Sequence, residues 1–162
     1  GSRARSARIP PSQTRPMRAV ADTGVLVSAF LWRGTPHRLL AAAEAGRFTL
    51  YTSPGLIDEL AGVLARPKFA ARLDARRVTV EELVAGYLRL AHLVLPRPLA
   101  PVLVQDPADD AVLACALAAR APYVISGDHH LLGLKRYRSI HLVSPRTFLS
   151  DILRARPSLF RP

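Results

Sequence analysis

The sequence predicts an α/β fold in which a parallel β-sheet carries helices on both faces. From residue 18 onward, short apolar runs alternate with amphipathic stretches, a pattern typical of β-α-β units. Helix-capping residues precede several of the amphipathic stretches. The 162 residues suit one domain, and a content of 49% hydrophobic and 22% charged residues is that of a folded chain.

The first part of the chain contains two predicted strands and four predicted helices. The strands are residues 18–21, which end directly before Asp22, and residues 48–52. The third helix begins with Ser53 as its N-cap and Pro54 at its first position. The fourth opens with a capping box, Thr79-Val80-Glu81-Glu82. In chain order, the helices span 25–30, 36–45, 54–65 and 79–92.

The second part continues the alternation. Residues 102–104 are a short candidate strand, and Asp106-Pro107 opens a helix that extends through Ala119. Two more strands, 123–126 and 141–143, precede a closing helix from Ser144 to about Leu153. In such folds the site lies beyond the carboxyl ends of the strands, where the strand order reverses.

The two ends of the chain differ from its middle. Residues 1–16 hold four arginines, three prolines and no acid, which predicts a flexible basic arm, and Gly1-Ser2 is typical of a tag remnant. We therefore expect a domain over 17–153 and a tail over 154–162. No apolar run reaches the length of a membrane span. Cys115 is the single cysteine, which excludes an internal disulfide and indicates a cytoplasmic protein.

Charge is the first indication of function. The formal net charge is +11, and removing the four arginines of the arm still leaves +7. All cationic side chains except Lys68 and Lys135 are arginines, whose guanidinium groups suit bidentate contact with phosphate. Polyanionic partners such as nucleic acid, or an acidic protein, are therefore expected. An arginine bias of the genome is the competing explanation.

The few acids stand where strands end and helices begin. Asp22 and Asp128 each follow a predicted strand, and Asp106, Asp109 and Asp110 crowd the start of one helix. If the two strands are neighbours, these carboxylates meet at one sheet edge, where they repel unless a cation lies among them. An all-oxygen site suits Mg²⁺ or Mn²⁺. Such a site in a basic protein favours hydrolysis of phosphodiesters.

Each acid also has a structural explanation by itself. Asp22 and Asp128 precede helix-like segments and can cap them, as can Asp106. Glu59, at the shoulder of an apolar helix stripe, could form a surface ion pair. For any single acid these roles are favoured, whereas their convergence at one edge favours a site.

Six stretches, in this order and spacing, resemble the PIN domain family, in particular the bacterial VapC-like toxins of toxin–antitoxin systems. The resemblance extends over residues 17–153. The stretches are MRAVADTGVLVSA (17–29), SPGLIDEL (53–60), RPKF (66–69), DPADDAVLA (106–114), VISGDHHLL (124–132) and VSPRTFL (143–149).

The resemblance implies a three-layer α/β/α sandwich around a parallel five-stranded sheet. It also implies a metal-dependent endoribonuclease that uses Mg²⁺ or Mn²⁺, with RNA as substrate, a cognate antitoxin and a homodimeric state. The four acids of the family match Asp22, Glu59, Asp110 and Asp128. Asp22, Asp110 and Asp128 are expected to hold the metal, and the expected supporting residues are Asp106, Asp109 and Ser126.

Three positions depart from the family pattern. Gly24 stands where the family has an asparagine, His130 where a second acid is frequent, and Gln105 where an arginine is common. Losing a side chain that supports a metal ligand typically weakens metal affinity or activity by about 10–100-fold. We expect weakened catalysis, and the alternative is a non-catalytic RNA-binding or interaction module that keeps the fold.

Overall fold

The computed structural model describes residues 16–98 and 107–154. Nearly all of the predicted arm, the candidate strand 102–104 and the tail from residue 155 lie outside the described residues, as do Gln105 and Asp106. The domain limits predicted for the two ends therefore stay predictions.

The described residues contain one mixed sheet with helices on both faces, which confirms the predicted α/β class. Its strands are β1 (Met17–Ala21), β2 (Phe48–Thr52), β3 (His92–Leu93), β4 (Tyr123–Ile125), β5 (Arg136–Tyr137) and β6 (Ile140–Val143), in the order β3-β2-β1-β4-β6-β5. Five strands are parallel, and β5 runs antiparallel to β6 at the edge. The expected five-stranded parallel sheet is thus corrected to six strands, because a two-residue antiparallel strand is added.

The helices follow the predicted positions with three additions. They are α1 (Thr23–Leu31), α2 (Thr35–Glu44), α3 (Pro54–Leu64), α4 (Ala70–Arg76), α5 (Val80–Leu90), α6 (Pro107–Ala119), α7 (His129–Leu134) and α8 (Pro145–Thr147). A 3₁₀ turn, Pro67–Phe69, precedes α4, and a π-helical turn, Phe148–Leu153, follows α8. The additions are this 3₁₀ turn, α4 and α7, whereas α8 and the π-helical turn together occupy the predicted closing helix. The helix predicted to end near His92 ends at Leu90, because residues 92–93 form β3.

Local capping explains why several helices begin where they do. Ser53 Oγ accepts a hydrogen bond from Leu56 N, and Ser144 Oγ accepts one from Thr147 N. At α5 both halves of the predicted capping box form, with Thr79 and Glu82 side chains each bonded to the other residue's backbone N–H. Each such cap satisfies N–H groups that have no partner within the helix.

The buried apolar side chains form two clusters, one on each face of the sheet. Ala19 and Ala21 of β1 belong to the first cluster, with residues of α1, α2 and α5, whereas Val20 belongs to the second, with residues of α6 and α7. Successive side chains of a strand point to opposite faces, so β1 is covered on both sides. The three-layer sandwich follows from this arrangement.

The sheet order reverses between β1 and β4. From β1 the chain builds outward to β2 and β3, and β4 pairs with β1 on the other side. The carboxyl ends of β1 and β4 therefore adjoin, and Asp22 N continues their ladder by donating to Ile125 O at 3.0 Å. No helix in the described part of the chain is long and apolar enough to cross a membrane.

Candidate active site

Asp22 lies at the junction between β1 and α1. It is the N-cap of α1, where its Oδ1 accepts a hydrogen bond from Val25 N at 2.9 Å. Its Oδ2 accepts a hydrogen bond from the Ser126 hydroxyl. A carboxylate has about four acceptor positions, so these two bonds leave room for a cation. Capping and ligand binding are therefore compatible at Asp22.

Ser126 joins the ends of the two central strands. It is fully buried after β4, and its Oγ also accepts a hydrogen bond from Asp128 N at 2.9 Å. Asp128 in turn is the N-cap of α7, where its Oδ1 accepts from His130 N at 2.7 Å. One hydroxyl thus fixes the Asp22 carboxylate and the backbone that carries Asp128, an arrangement that sequence position alone did not reveal.

Four carboxylates line one cleft of about 450 Å³ at this edge of the sheet. They belong to Asp22, Asp128, Glu59 of α3 and Asp109 of α6. Glu59 is half-buried, whereas the adjacent Asp58 is exposed, as the apolar stripe of that helix predicts. The remaining lining residues are Thr23, Gly24, Val25, Ser28, Pro36, Val112, Gly127 and Pro145.

The contribution of α6 differs from the expectation. Asp109 is 7% exposed and lines the cleft together with Val112, one helical turn further along. Asp110 is half-buried in the first turn of α6 and is not among the residues that line the cleft. Asp106 lies outside the described residues. The resemblance assigned the metal ligand to Asp110 and a supporting role to Asp109, whereas Asp109 is the one that lines the cleft. Adjacent helical positions differ by about 100° in direction, so the two side chains face different ways.

Gly24 lies in the first turn of α1 and lines the cleft. A Cβ atom built on it would lie 3.7 Å from Asp22 Oδ1, which is an ordinary van der Waals distance. A side chain therefore fits at position 24. The glycine leaves open the place from which an amide could reach the Asp22 carboxylate.

Burial and a neighbouring charge disfavour the ionised form of Asp22. Burial raises the pKa of this carboxyl most, hydrogen bonds from Ser126 and Val25 N lower it, and the charge of Asp128 raises it further. The net direction is upward. Asp22 therefore contributes stability below its unfolded pKa of about 3.8, and this contribution is lost as pH rises through the folded pKa. A cation beside it would offset this cost.

The donor set fits a hard divalent cation in its chemistry. Carboxylate oxygens are the ligands that Mg²⁺ and Mn²⁺ prefer, and all four acids line the same cleft. Within residues 16–98 and 107–154, no three His, Cys, Asp or Glu side chains lie close enough together to hold a metal as they stand. The carboxylates would have to turn toward a cation to coordinate it together.

The fold and the cleft define a doubly wound α/β protein with an acidic site at its topological switch point. A sequence model of the PIN domain matches residues 18–130, which is more than half of the chain, and the chain belongs to the PIN domain family. PIN domains are generally nucleases, and they generally use divalent metal ions. A search of curated proteins finds no significant match.

Proposed function

We propose that this protein is a metal-dependent endoribonuclease that hydrolyses RNA phosphodiester bonds. The observation that carries the proposal is the convergence of four carboxylates from β1, α3, α6 and β4 on one cleft of a PIN domain. The net charge of +11 supports a polyanionic substrate, because a basic surface attracts the phosphate backbone.

The proposed ligands of Mg²⁺ or Mn²⁺ are Asp22, Asp128 and one carboxylate of the Asp109-Asp110 pair. When held there, such a cation would lower the pKa of a water molecule and neutralise charge on the phosphoryl oxygens. Ser126 orients the Asp22 carboxylate and fixes the backbone at Asp128. Glu59 faces the same cleft from α3, where its carboxylate can accept a proton from the attacking water.

Different observations support Asp109 and Asp110 of α6 as the metal ligand. Asp109 is supported by its position in the cleft, and Asp110 by the resemblance of the DPADDAVLA stretch. Asp109→Asn and Asp110→Asn are nearly identical changes at adjacent positions, so their comparison is well matched. The variant that loses cleavage identifies the ligand, and we expect the larger loss for Asp109→Asn.

We further propose a role as the toxin of a toxin–antitoxin pair in the cytoplasm, acting as a homodimer. This part rests on the resemblance to VapC-like proteins. The charge supports it, because a strongly basic protein suits an acidic partner that covers its surface. Sedimentation of the purified protein tests the dimer, and isolation with the product of a neighbouring gene tests the antitoxin.

The test is cleavage of a circular RNA with Mg²⁺ or Mn²⁺, beside an EDTA sample. A circle has no ends, so any cut is endonucleolytic. We expect metal-dependent cutting that is lost in Asp22→Asn and Glu59→Gln and kept in Asp58→Asn, the exposed neighbour on α3. Cutting that survives EDTA and Asp22→Asn would contradict the proposed mechanism.

A non-catalytic RNA-binding module is the second candidate. Gly24 favours it, since position 24 has room for a side-chain amide beside the Asp22 carboxylate and the glycine supplies none. Retained RNA binding without cleavage by the wild-type protein, under every metal tested, would support this alternative.

A further inference from the structure

Trp32 forms an aromatic and cationic cluster on the surface at the end of α1. Its side chain is 42% exposed. The ring of Phe69 meets it edge-on at 6.0 Å, and the guanidinium of Arg72 lies over its ring, 5.5 Å from the centroid. The ammonium of Lys68 lies 5.1 Å from the centre of the Phe69 ring. We call Trp32, Lys68, Phe69 and Arg72 the Trp32 platform.

The platform adjoins the acidic cleft along α1. Trp32 N donates to Ser28 O at 3.0 Å, so Trp32 lies one helical turn beyond Ser28, and Ser28 lines the cleft. Pro36, four residues after Trp32, lines it as well. From Asp22 to Trp32 the axis of α1 rises by about 15 Å. A nucleic acid strand in the cleft would reach the platform within a few nucleotides.

The platform is held in place before any ligand arrives. Arg72 Nε donates to Leu31 O at 2.6 Å, a carbonyl in the last turn of α1 that has no helical partner. This bond fixes the guanidinium beside the indole and ties α4 to α1. A platform whose side chains are already ordered loses little conformational entropy on binding.

The charge around the platform is positive. Residues 66–77 hold five cations, Arg66, Lys68, Arg72, Arg76 and Arg77, and one acid, Asp74. The other large apolar side chains that are strongly exposed in the described ranges are leucines, namely Leu88, Leu93 and Leu95. Trp32 thus combines a partly exposed aromatic ring with neighbouring cations. Proteins that bind single-stranded nucleic acids use this combination to stack on bases and to contact phosphates.

We propose that the Trp32 platform binds an unpaired base of the RNA by stacking, with Lys68 and Arg72 contacting the flanking phosphates. The proposal rests on the proposed function, because it takes RNA as the substrate, and it assigns contact with an unpaired base to one surface outside the acidic cleft. Bases in a duplex are already stacked on each other and cannot reach a protein ring.

Trp32 is the only tryptophan of the chain, so its fluorescence reports on the platform directly. We titrate the wild-type protein in EDTA, which prevents cleavage, with a short oligouridine and with a duplex of equal length. We expect the single strand to quench Trp32 fluorescence. The Kd obtained from this quenching should equal the Kd obtained from the fluorescence anisotropy of a labelled oligonucleotide. Binding without a change in Trp32 fluorescence would overturn the proposal.

Variants supply the second readout. Loss of one base stack in Trp32→Ala is expected to weaken the Kd for oligouridine about 5- to 150-fold, and Trp32→Phe to weaken it less. Lys68→Gln should lower the salt dependence of log K by about 0.7, the value of one single-strand phosphate contact. Leu88→Ala, which removes a side chain with the same 42% exposure from α5, is expected to leave the Kd unchanged.

The platform and the nuclease can fail separately. Quenching and a weakened Trp32→Ala variant without any metal-dependent cleavage would support the platform and refute the nuclease. Cleavage with an unchanged Kd in Trp32→Ala would refute the platform alone. An unchanged Kd together with a dimer-to-monomer change in Trp32→Ala on sedimentation would overturn the proposal and make Trp32 a contact between copies of the chain.

Discussion

Replacing Ser126 with alanine tests whether its hydroxyl organises the acidic cleft. The substitution deletes the donor to Asp22 Oδ2 and the acceptor of Asp128 N. A hydrogen bond to a charged group is worth about 1.5–3 kcal/mol and a neutral one about 0.5–1.5 kcal/mol. At pH 7 in EDTA, Ser126→Ala should therefore lower the free energy of unfolding by about 2–4 kcal/mol.

The effect should depend on pH in a defined direction. Because the Ser126 hydroxyl lowers the pKa of Asp22, its removal raises that pKa further. Below the usual carboxyl range Asp22 is protonated in both proteins, so the bond lost is a neutral one and the difference between them is small. The difference should widen as pH rises and Asp22 ionises, since only the wild-type protein has the hydroxyl that stabilises the charged form in addition to Val25 N.

Urea unfolding at pH 3 and pH 7 measures both free energies. Ser150→Ala is the matched control, because the exposed Ser150 hydroxyl donates to Arg146 O at 2.7 Å, and its loss should change stability by less than about 0.5 kcal/mol. A loss in Ser126→Ala that is the same at both pH values would show that the hydroxyl does not act on the charge of Asp22.

Four further results are expected. Mn²⁺ at about 100 times its Kd should raise the Tm of the wild-type protein by roughly 5–10 °C in a melting scan and leave that of Asp22→Asn unchanged. Gly24→Asn should raise the rate of RNA cleavage about 10-fold. Gly62→Asn is its control and should leave the cleavage rate unchanged, because no atom lies within 4 Å of a Cβ added at position 62. Tyr87→Phe should stabilise the fold by about 1 kcal/mol in urea, because the buried Tyr87 hydroxyl has no hydrogen-bond partner among the described residues. Burial raises the pKa of Cys115 to about 12, so the native protein at pH 8 should resist alkylation by iodoacetamide, whereas the protein in urea should react. Fast alkylation of the native protein would contradict the Cys115 prediction. A Tyr87→Phe variant less stable than the wild-type protein would contradict the Tyr87 prediction.

The capping signals and strand patterns of the sequence predicted most of the fold. Ser53 and the Thr79 capping box begin helices where predicted, because a cap acts through the nearest few N–H groups. β3 and β5 were missed, since two residues are too few for an alternating pattern. Their positions depend on pairing with β2 and β6, which is tertiary information.

The candidate site was predictable in its location and less so in its details. Acids that directly follow strands, such as Asp22 and Asp128, meet at one sheet edge once those strands are neighbours. Choosing between Asp109 and Asp110 needs the rotation of α6 about its axis, which its apolar pattern does not fix, because α6 is apolar nearly all round. The platform at Trp32 depends on α4, a helix that was not predicted.

The bond between Ser126 and Asp22 joins residues 104 positions apart in the chain. On the ribosome, at about 5–20 residues per second, roughly 5–20 s separate the synthesis of Asp22 from that of Ser126. During this interval β1 can pair with β2, but the edge that carries Asp128 does not yet exist. A nascent chain that ends before Ser126 therefore lacks one of the four carboxylates, Asp128, and the hydroxyl that orients Asp22. The acidic cleft, with whatever it does to RNA, is incomplete until residue 128 has been made.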